Sequence, residues 1–311
     1  MTQVISNDVS AIQPELWSSM VQVPLYKSLV AMEVASTRLS ETVKYADTVH
    51  VPRFGDLSAQ TYTPGTTITA TAQDWAYDTL VVSAYKHVTF YVDDPRSLTV
   101  NVDQARELAT EAAYRLRDAI DQHVFANITG ADGFTPSDDG ALLGGTDDRA
   151  VSAGTANIIQ LFAGARKVLR ERNVEETGDW AAVVTPKIAA DIEIKAANVG
   201  FNVADATLRN GYAGDFMGFQ VYISNNLPTG QVSALAPGAL GATAQVGAGT
   251  SIYFGKKGTI DVVMLAEPAL EIRKKDDMIG ANFITWTVYG SSVFTKNRSR
   301  GINVPVHGSF D

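Results

Sequence analysis

The most regular alternation of apolar and polar positions runs from Thr79 to Val92 and predicts a β-strand. One face of this strand is apolar and consists of Leu80, Val82, Ala84, Val88, Phe90 and Val92. The opposite face mixes polar and aromatic side chains, namely Ser83, Tyr85, His87, Thr89 and Tyr91. Because both faces offer apolar surface, we expect contacts on both sides of this strand.

A long amphipathic helix is predicted after that strand, from Val102 to Asn127. Its apolar stripe repeats every three or four residues and consists of Val102, Ala105, Ala109, Ala112, Leu116, Ile120 and Val124. Two oppositely charged pairs with i, i+4 spacing are expected on its outer surface, Glu111–Arg115 and Arg117–Asp121. A helix of about 26 residues spans roughly 39 Å, so it is expected to be the spine of a domain.

The chain before the strand consists of two segments that differ in composition. Residues 1–40 are apolar but interrupted by Pro24, which predicts a short helix near residues 16–23 within an arm that packs on another surface. Residues 44–94 are rich in Thr, Val, Tyr and Ala, a composition that favours strands. Two turn clusters, Pro52–Asp56 and Thr63–Gly65, predict a loop that joins these strands.

A second module is predicted after the glycine- and aspartate-rich stretch 129–155, which has the pattern of a long exposed loop. Its elements are a helix over Ala156–Arg172, an apolar strand over Trp180–Thr185 and a helix that begins at Pro186. The last part of the chain predicts an antiparallel sheet that returns to the first module. Its strands are Thr259–Leu265, Ala269–Lys275 and Asn282–Phe294, with a turn at Asp276-Asp277.

Composition narrows the possible functions. The 311 residues include no cysteine and four histidines, which excludes disulfides, thiolate zinc sites and cysteine nucleophiles. A net charge of −9 argues against a protein that mainly grips phosphate backbones. Only 19% of residues are charged, against about 25% in a typical soluble domain, which favours extensive subunit contacts. With no signal-peptide pattern and no long apolar run, a soluble protein made in a cytoplasm is expected.

Motifs for common chemistries are missing from the sequence. Gly247-Ala248-Gly249 lacks the third glycine of a dinucleotide fingerprint, and Gly255-Lys256-Lys257 lacks the first glycine and the hydroxyl of a phosphate loop. No His-Glu-x-x-His or Gly-x-Ser-x-Gly motif occurs, and the aspartates of residues 132–148 lack calcium-loop spacing. We therefore predict no catalytic, cofactor-binding or metal-binding residue. An α/β enzyme that uses Asp or Glu stays open, because paired carboxylates leave little trace in one sequence.

The order of segments, together with three local passages, resembles tailed-phage major capsid proteins with the Hong Kong 97-type fold. The passages are ARKVLRERN at 165–173, AVVTP at 182–186 and GYAGDFMGFQVYISNNLP at 211–228. The resemblance implies an α+β fold with an N-arm, an extended β-hairpin called the E-loop, a peripheral domain with a long spine helix, and an axial α/β domain. Its implied bounds are 1–44 for the N-arm, 45–92 for the E-loop, 93–154 for the spine helix and loop, 155–258 for the axial domain, and 259–311 for the peripheral sheet and C-terminus.

The predicted hairpin has too little apolar surface to be stable alone, so it needs a neighbouring subunit. Arg53, Phe54 and Asp56, at the expected tip of the E-loop, are predicted to make intersubunit contacts. Some family members crosslink an E-loop lysine to an asparagine of a neighbour. Here Asn297 could accept, but no lysine lies between Lys44 and Lys86, and the guanidinium of Arg53 is a poor nucleophile. No isopeptide crosslink is therefore predicted.

By resemblance, the chain assembles as hexamers and pentamers of an icosahedral shell that encloses double-stranded DNA without sequence-specific binding. The expected location is the virion capsid, assembled in the host cytoplasm. Expected partners are a portal, a separate scaffolding protein and optionally a cement protein, with no membrane and no cofactor. The alternatives are an encapsulin-like nanocompartment shell and the carboxylate enzyme. A compact monomer of this mass would expose about 12,600 Å², and a value near that, with residues 50–78 packed into the chain's own core, would contradict the capsid hypothesis.

Overall fold

The computed structural model describes residues 27, 29–41, 43, 46–68, 75–93, 104–130, 133–134, 158–199, 212–232, 247–274 and 280–307. Four predicted features lie wholly or mostly outside these residues: the helix near 16–23, the first residues of the spine helix, the loop 129–155 and the turn at Asp276-Asp277. The described elements belong to a two-stranded hairpin, a three-stranded sheet and a six-stranded sheet, with helices packed on the two sheets.

A short helix α1 (Ala31–Val34) precedes the hairpin of β1 (Thr48–Phe54) and β2 (Trp75–Val81), which pair antiparallel from Thr48–Val81 to Phe54–Trp75. The predicted turn cluster at Pro52–Asp56 is therefore wrong at its start, because Pro52, Arg53 and Phe54 belong to β1. Proline is tolerated here because each strand of a two-stranded hairpin has a free edge, where its missing N–H leaves no bond unmade.

The predicted strand Thr79–Val92 divides into two strands, β2 and β3 (Ala84–Asp93). The alternation persists across the break: Leu80 and Val82 are buried, while Val81, Ser83 and Tyr85 are exposed. The chain leaves the hairpin at Val82, whose N–H donates to Asp47 O at 2.7 Å, and then enters the three-stranded sheet. The alternation of apolar and polar residues indicates which side of a strand is buried, but it does not indicate where the chain changes from one partner strand to another.

The spine helix α2 (Gln104–Ala126) confirms the second half of the predicted stripe, because Ala112, Leu116, Ile120 and Val124 are buried, whereas Ala109 is half-buried. It packs on the three-stranded sheet, where Tyr289 Oη donates to Ala119 O at 3.2 Å. The outer pair Glu111–Arg115 forms an ion pair at 2.6 Å. The prediction that Asp121 lies on the outer surface is wrong, because this carboxylate is buried against α1.

The three-stranded sheet has the order β3-β10-β9, with β9 (Asp261–Lys274) at one edge and β10 (Gly280–Ser292) in the centre. Two strands were expected in place of β9, on either side of Pro268. The chain instead continues through irregular register opposite Thr287, where Trp286 pairs with Ala269 and Val288 pairs with Ala266. An edge position and a bulge are the two settings in which a strand accepts proline.

The six-stranded sheet follows the order β11-β8-β4-β6-β5, with β7 paired to β8. Its strands are β4 (Trp180–Val184), β5 (Tyr212–Phe216), β6 (Phe219–Ile223), β7 (Thr229–Val232), β8 (Gly247–Lys256) and β11 (Gly301–His307). The helices α3 (Ile158–Glu171) and α4 (Pro186–Val199) confirm the predicted helices. All five residues of β4 are buried, as its apolar run predicts.

The chain closes on this larger sheet. A 3₁₀ helix (Thr295–Arg300) follows β10 and leads into β11, which pairs antiparallel with β8. The main hydrophobic core lies between the larger sheet, α3, α4 and the second half of α2, and it includes Val30, Ala31 and Val34 from the start of the described chain. The smaller core lies under the hairpin. Its buried members are Leu80, Val82, Val263 and Phe294.

Candidate functional site

The β1–β2 hairpin has one covered face and one open face. Val49 and Val51 of β1 and Leu80 of β2 point to the smaller core, where they pack with Val263 and Phe294. Leu80 is fully buried. This contact fixes the root of the hairpin on its own chain, at the end where β1 begins and β2 ends.

The open face of the hairpin carries a row of aromatic rings. Phe54 and Trp75 lie edge to face with ring centroids 4.6 Å apart, and His50 and Tyr77 do so at 4.9 Å. Trp75 is 72% exposed and Tyr77 is 66% exposed. Aromatic rings that are paired with each other yet open to water are typical of protein interfaces, where they bury large apolar areas.

The loop beyond the hairpin is equally open. Each described residue from Gly55 to Ile68 is exposed, including the apolar side chains of Leu57, Tyr62 and Ile68. Leu57 is 83% exposed. Large exposed apolar side chains concentrated in one hairpin and its loop mark an interaction surface more strongly than scattered ones do. We call Phe54, Leu57, Tyr62, Trp75 and Tyr77 the hairpin patch.

Arg53, Phe54 and Asp56 lie where the paired part of the hairpin ends, not at the tip of the loop. Arg53 and Phe54 form the last two ladder pairs with Ala76 and Trp75. Arg53 Nε lies 3.8 Å from Asp78 Oδ1. The three residues come together beside the 3₁₀ helix of the same chain. Their contact with another subunit stays a prediction.

Asp78 is a residue of this region that the sequence analysis did not single out. Its Oδ2 accepts the Thr295 N–H at 2.9 Å, and its Oδ1 accepts the Thr295 hydroxyl at 2.8 Å. The carboxylate thereby joins β2 to the first turn of the 3₁₀ helix, whose backbone N–H groups have no partner within the helix. A signal was available, because Asp78 alternates with Ala76 and Leu80 on the inward face, where a polar residue needs a partner.

Asn297, the possible acceptor of a crosslink, is buried and engaged within its own chain. Its Nδ2 donates to Asp261 Oδ2 at 3.2 Å, and its Oδ1 accepts a hydrogen bond from Arg300 Nη1 at 3.2 Å. Burial raises the pKa of the Asp261 carboxyl, while the Arg38 guanidinium, 3.7 Å away, opposes that rise. In this arrangement Asn297 anchors the 3₁₀ helix to the start of β9.

A buried polar cluster fixes the place where the N-terminal segment enters the fold. Asn226 Nδ2 donates to Asp118 Oδ1 at 2.7 Å and to Asp121 Oδ2 at 2.9 Å. Lys27 Nζ donates to Asn226 Oδ1 at 2.9 Å, and Lys27 N donates to the Tyr114 hydroxyl at 2.7 Å. The cluster therefore ties three separate parts of the chain together: the segment before α1, the spine helix and the loop after β6.

Among the residues that the structure describes, no group of histidine and carboxylate side chains could hold a metal ion. Within the same residues, no helix is long and apolar enough to cross a membrane.

A sequence model of the family described as "Phage capsid protein" matches residues 100–302. The chain belongs to the phage capsid protein family. Comparison with curated protein sequences finds no match. Phage capsid proteins are structural components of the virion and not enzymes, so the carboxylate-enzyme alternative is wrong and the resemblance drawn from the sequence is confirmed.

Solved structures show the same fold for this capsid protein. A chain of Mycobacterium phage Che8 matches with a TM-score of 0.71 at 19% identity, over 94% of this chain and 96% of that one. The capsid of cyanophage P-SCSP1u matches with a TM-score of 0.70 at 18% identity, over 98% of this chain and 96% of that one. The mature capsid of bacteriophage PhiM1 matches with a TM-score of 0.65 at 14% identity, over 96% of this chain and 93% of that one. The predicted α+β capsid fold is thereby confirmed.

Proposed function

We propose that this protein is the major capsid protein of a tailed phage, with the Hong Kong 97-type fold, and that its copies form an icosahedral shell around double-stranded DNA. The hairpin serves as the E-loop and the segment before α1 serves as the N-arm. The observation that carries the proposal is the hairpin patch, because its rings face solvent on a hairpin whose other face is already covered by its own chain. Hexamers and pentamers of such subunits supply a neighbour that covers the patch.

The exposure of the described hairpin residues supports this proposal. Residues 50–68 and 75–78, the described part of the excursion, are exposed or half-buried throughout. Exposed apolar surface of this kind is costly in water unless other copies cover it, since each Å² of buried apolar area contributes about 25 cal/mol.

We propose further that the shell carries no lysine–asparagine crosslink. No lysine lies between Lys44 and Lys86, and Asn297 is held by Asp261 and Arg300 within its own chain. Shell strength then comes from interlocked hairpins, with a cement protein as an optional addition. A portal and a separate scaffolding protein are the proposed assembly partners, and the host cytoplasm is the proposed place of assembly.

Expression of the full chain with and without its phage's scaffolding protein tests the proposal, with particles examined by electron microscopy. We expect uniform shells, and we expect particles purified from infected cells to protect DNA from nuclease. Denaturing gels of the particles test the crosslink: without one, the protein should migrate as a monomer of 33.3 kDa. Dispersed small particles under all conditions would contradict the shell, and a protein cargo in place of DNA would indicate a nanocompartment.

The hairpin patch is tested by substituting Trp75 and Tyr77 with serine. These side chains are exposed and contact other rings only across the hairpin, so the unfolding temperature of the isolated subunit should change little. The association constant between subunits should fall by at least about tenfold, the equivalent of 1.4 kcal/mol per contact. Ile194→Ser is the matched control, because Ile194 is an exposed apolar residue on α4. Normal assembly of W75S/Y77S would contradict the role of the patch.

A further inference from the structure

A polar cleft lies between the end of the hairpin ladder and the 3₁₀ helix. One wall consists of Arg53, Phe54, Gly55, Asp56 and Ala76, and the other consists of Thr295, Lys296, Ser299 and Arg300. The cleft has a volume of about 590 Å³ and is open to solvent. Its walls are held together from below, because Asp78 binds Thr295 through two hydrogen bonds. The cleft is therefore a feature of the folded subunit.

The charge of the cleft is opposite to the charge of the chain. Three cations line it, Arg53, Lys296 and Arg300, whereas Asp56 is the carboxylate of this lining and Asp78, at its base, lies 3.8 Å from Arg53. Arg298 adds a fourth cation in the same 3₁₀ helix, and no acidic residue occurs between Thr295 and Arg300. The whole chain carries 34 acidic and 25 basic residues. Positive charge is thus concentrated at this point on an acidic molecule.

Asp56 shows which chemical group the cleft accepts. Its carboxylate lies at the rim, with Oδ1 3.1 Å from Lys296 Nζ. The Asp56 side chain is 95% exposed, so water screens this pair and the pair holds the loop only weakly. The guanidinium groups of Arg53 and Arg300 line the same cleft, and each carries several N–H groups that can donate to a carboxylate oxygen. A second carboxylate can therefore enter beside Asp56 or replace it.

We propose that the cleft binds an acidic side chain of a second copy of the chain, and so acts as an electrostatic contact between subunits. The inference rests on the proposed shell, which brings acidic copies close together at the hairpin. Charge complementarity favours this occupant, because a copy with a net charge of −9 presents carboxylates in excess. DNA is less favoured, because the remainder of the same acidic surface would repel its phosphates.

Charge reversal in the full chain tests the proposal. Lys296→Glu is the cleaner variant, since the ion pair of Lys296 with exposed Asp56 is its described contact, whereas Arg300 also donates to Asn297. We expect K296E to keep the wild-type unfolding temperature and to lower the association constant between subunits at 0.15 M salt by about tenfold, the equivalent of 1.4 kcal/mol per contact, with a reduced shell yield as the result. Arg300→Lys, which keeps the charge, should assemble more completely than Arg300→Glu.

Lys167→Glu is the matched control, because Lys167 is an exposed lysine on α3 that lies 3.8 Å from Glu171. A cryo-EM map of the wild-type shell should also show a carboxylate of a neighbouring copy within about 4 Å of Lys296 or Arg300. A solvent-filled cleft in that map, or equal yields of K296E and wild type, would overturn the inference while leaving the shell intact. Normal shells of K296E that package less DNA would assign the cleft to phosphate and overturn it as well. Failure of the wild-type chain to form shells would contradict the proposed function itself.

Discussion

The Asp121 carboxylate of the spine helix accepts the backbone N–H of Ala31 at 2.7 Å and that of Val30 at 3.0 Å. These donors begin the short helix α1, which has no side-chain cap of its own at Val30. Asp121 thus caps a helix 90 residues earlier in the chain, while its other oxygen accepts from Asn226. Burial raises the pKa of this carboxyl, and the hydrogen bonds from Ala31, Asn226 and Val30 oppose the rise.

Asp121→Asn should destabilise the subunit although the two side chains have nearly the same shape. The carboxylate accepts on both oxygens, whereas an amide would point its NH₂ at either the α1 N–H groups or the Asn226 NH₂. One buried donor then faces another, at a cost of about 1–3 kcal/mol. Chemical denaturation of the isolated subunit measures the loss. Glu107→Gln, on the exposed part of the same helix, is the control and should cost much less. Equal stability of D121N and wild type would show that the cap is unimportant.

Stability should fall as the pH drops below about 6.5, the ordinary pKa of histidine. Burial lowers the pKa of His123, and the nearby Lys86 lowers it further. A group with a lowered pKa binds fewer protons in the folded state than in the unfolded state, so acidification through this window favours unfolding. The His123 ring lies edge to face with Tyr289 at 5.1 Å. His123→Phe keeps an aromatic ring there.

Thermal unfolding at pH 8 and pH 5.5 measures this dependence. The decrease in unfolding temperature from pH 8 to pH 5.5 should be smaller in H123F than in wild type. Burial raises the pKa of both Asp121 and Asp261, so these groups favour the folded state as the pH falls toward the carboxylate range. The difference between the two proteins isolates the histidine, because both aspartates are present in each. An equal decrease in unfolding temperature in H123F and wild type would contradict the role given to His123.

The bond between Asp78 and Thr295 should control the mobility of the hairpin root. Thr295→Val removes the hydroxyl that donates to Asp78 Oδ1 and leaves the Thr295 N–H bond in place. We expect a loss of about 0.5–1.5 kcal/mol and faster amide exchange in β1 and β2, with little change in the larger sheet. Thr89→Val, at an exposed position of β3 outside the hairpin, is the control. Unchanged amide exchange in T295V would show that the bond to the 3₁₀ helix does not control the mobility of the hairpin.

Gly290→Ala should disrupt the crossing between the hairpin and the three-stranded sheet. A Cβ at this position would lie 2.4 Å from Val81 O and 2.8 Å from Val82 Cα, and neither backbone atom can move independently. We expect a loss of about 1–3 kcal/mol, typical of an overpacked position. Gly130→Ala is the control, because its nearest contact for a Cβ is at 3.7 Å. Chemical denaturation measures both variants, and equal stabilities would contradict the close approach.

The sequence predicted the elements whose burial repeats regularly. The stripe of α2 from Ala112 to Val124 and the apolar run of β4 each bury against one neighbour, so their patterns correspond directly to structure. The break at Val82 and the bulge after Ala266 were missed because each depends on a partner strand elsewhere in the chain. Propensity and periodicity are local and contain no information on such a change of partner.

The role of Arg53, Phe54 and Asp56 in intersubunit contacts stays a prediction. Arg53, Phe54 and Asp56 were identified as a group, and the structure places them together beside the 3₁₀ helix. Asp78 and Asp121 were missed because an aspartate in a strand or helix is usually solvated, and their partners Thr295 and Ala31 lie 217 and 90 residues away. Local charge pairing placed Asp121 on the outer surface, but the buried N–H groups of α1 require its carboxylate inside.

A cryo-EM reconstruction of the wild-type particle tests the central claim most directly. We predict a closed icosahedral shell in which the hairpin of each copy lies on a neighbour, with Trp75 and Tyr77 buried between the two. The contrary result would be a particle of any symmetry in which both side chains still face solvent, because the hairpin patch would then have no part in holding the shell together.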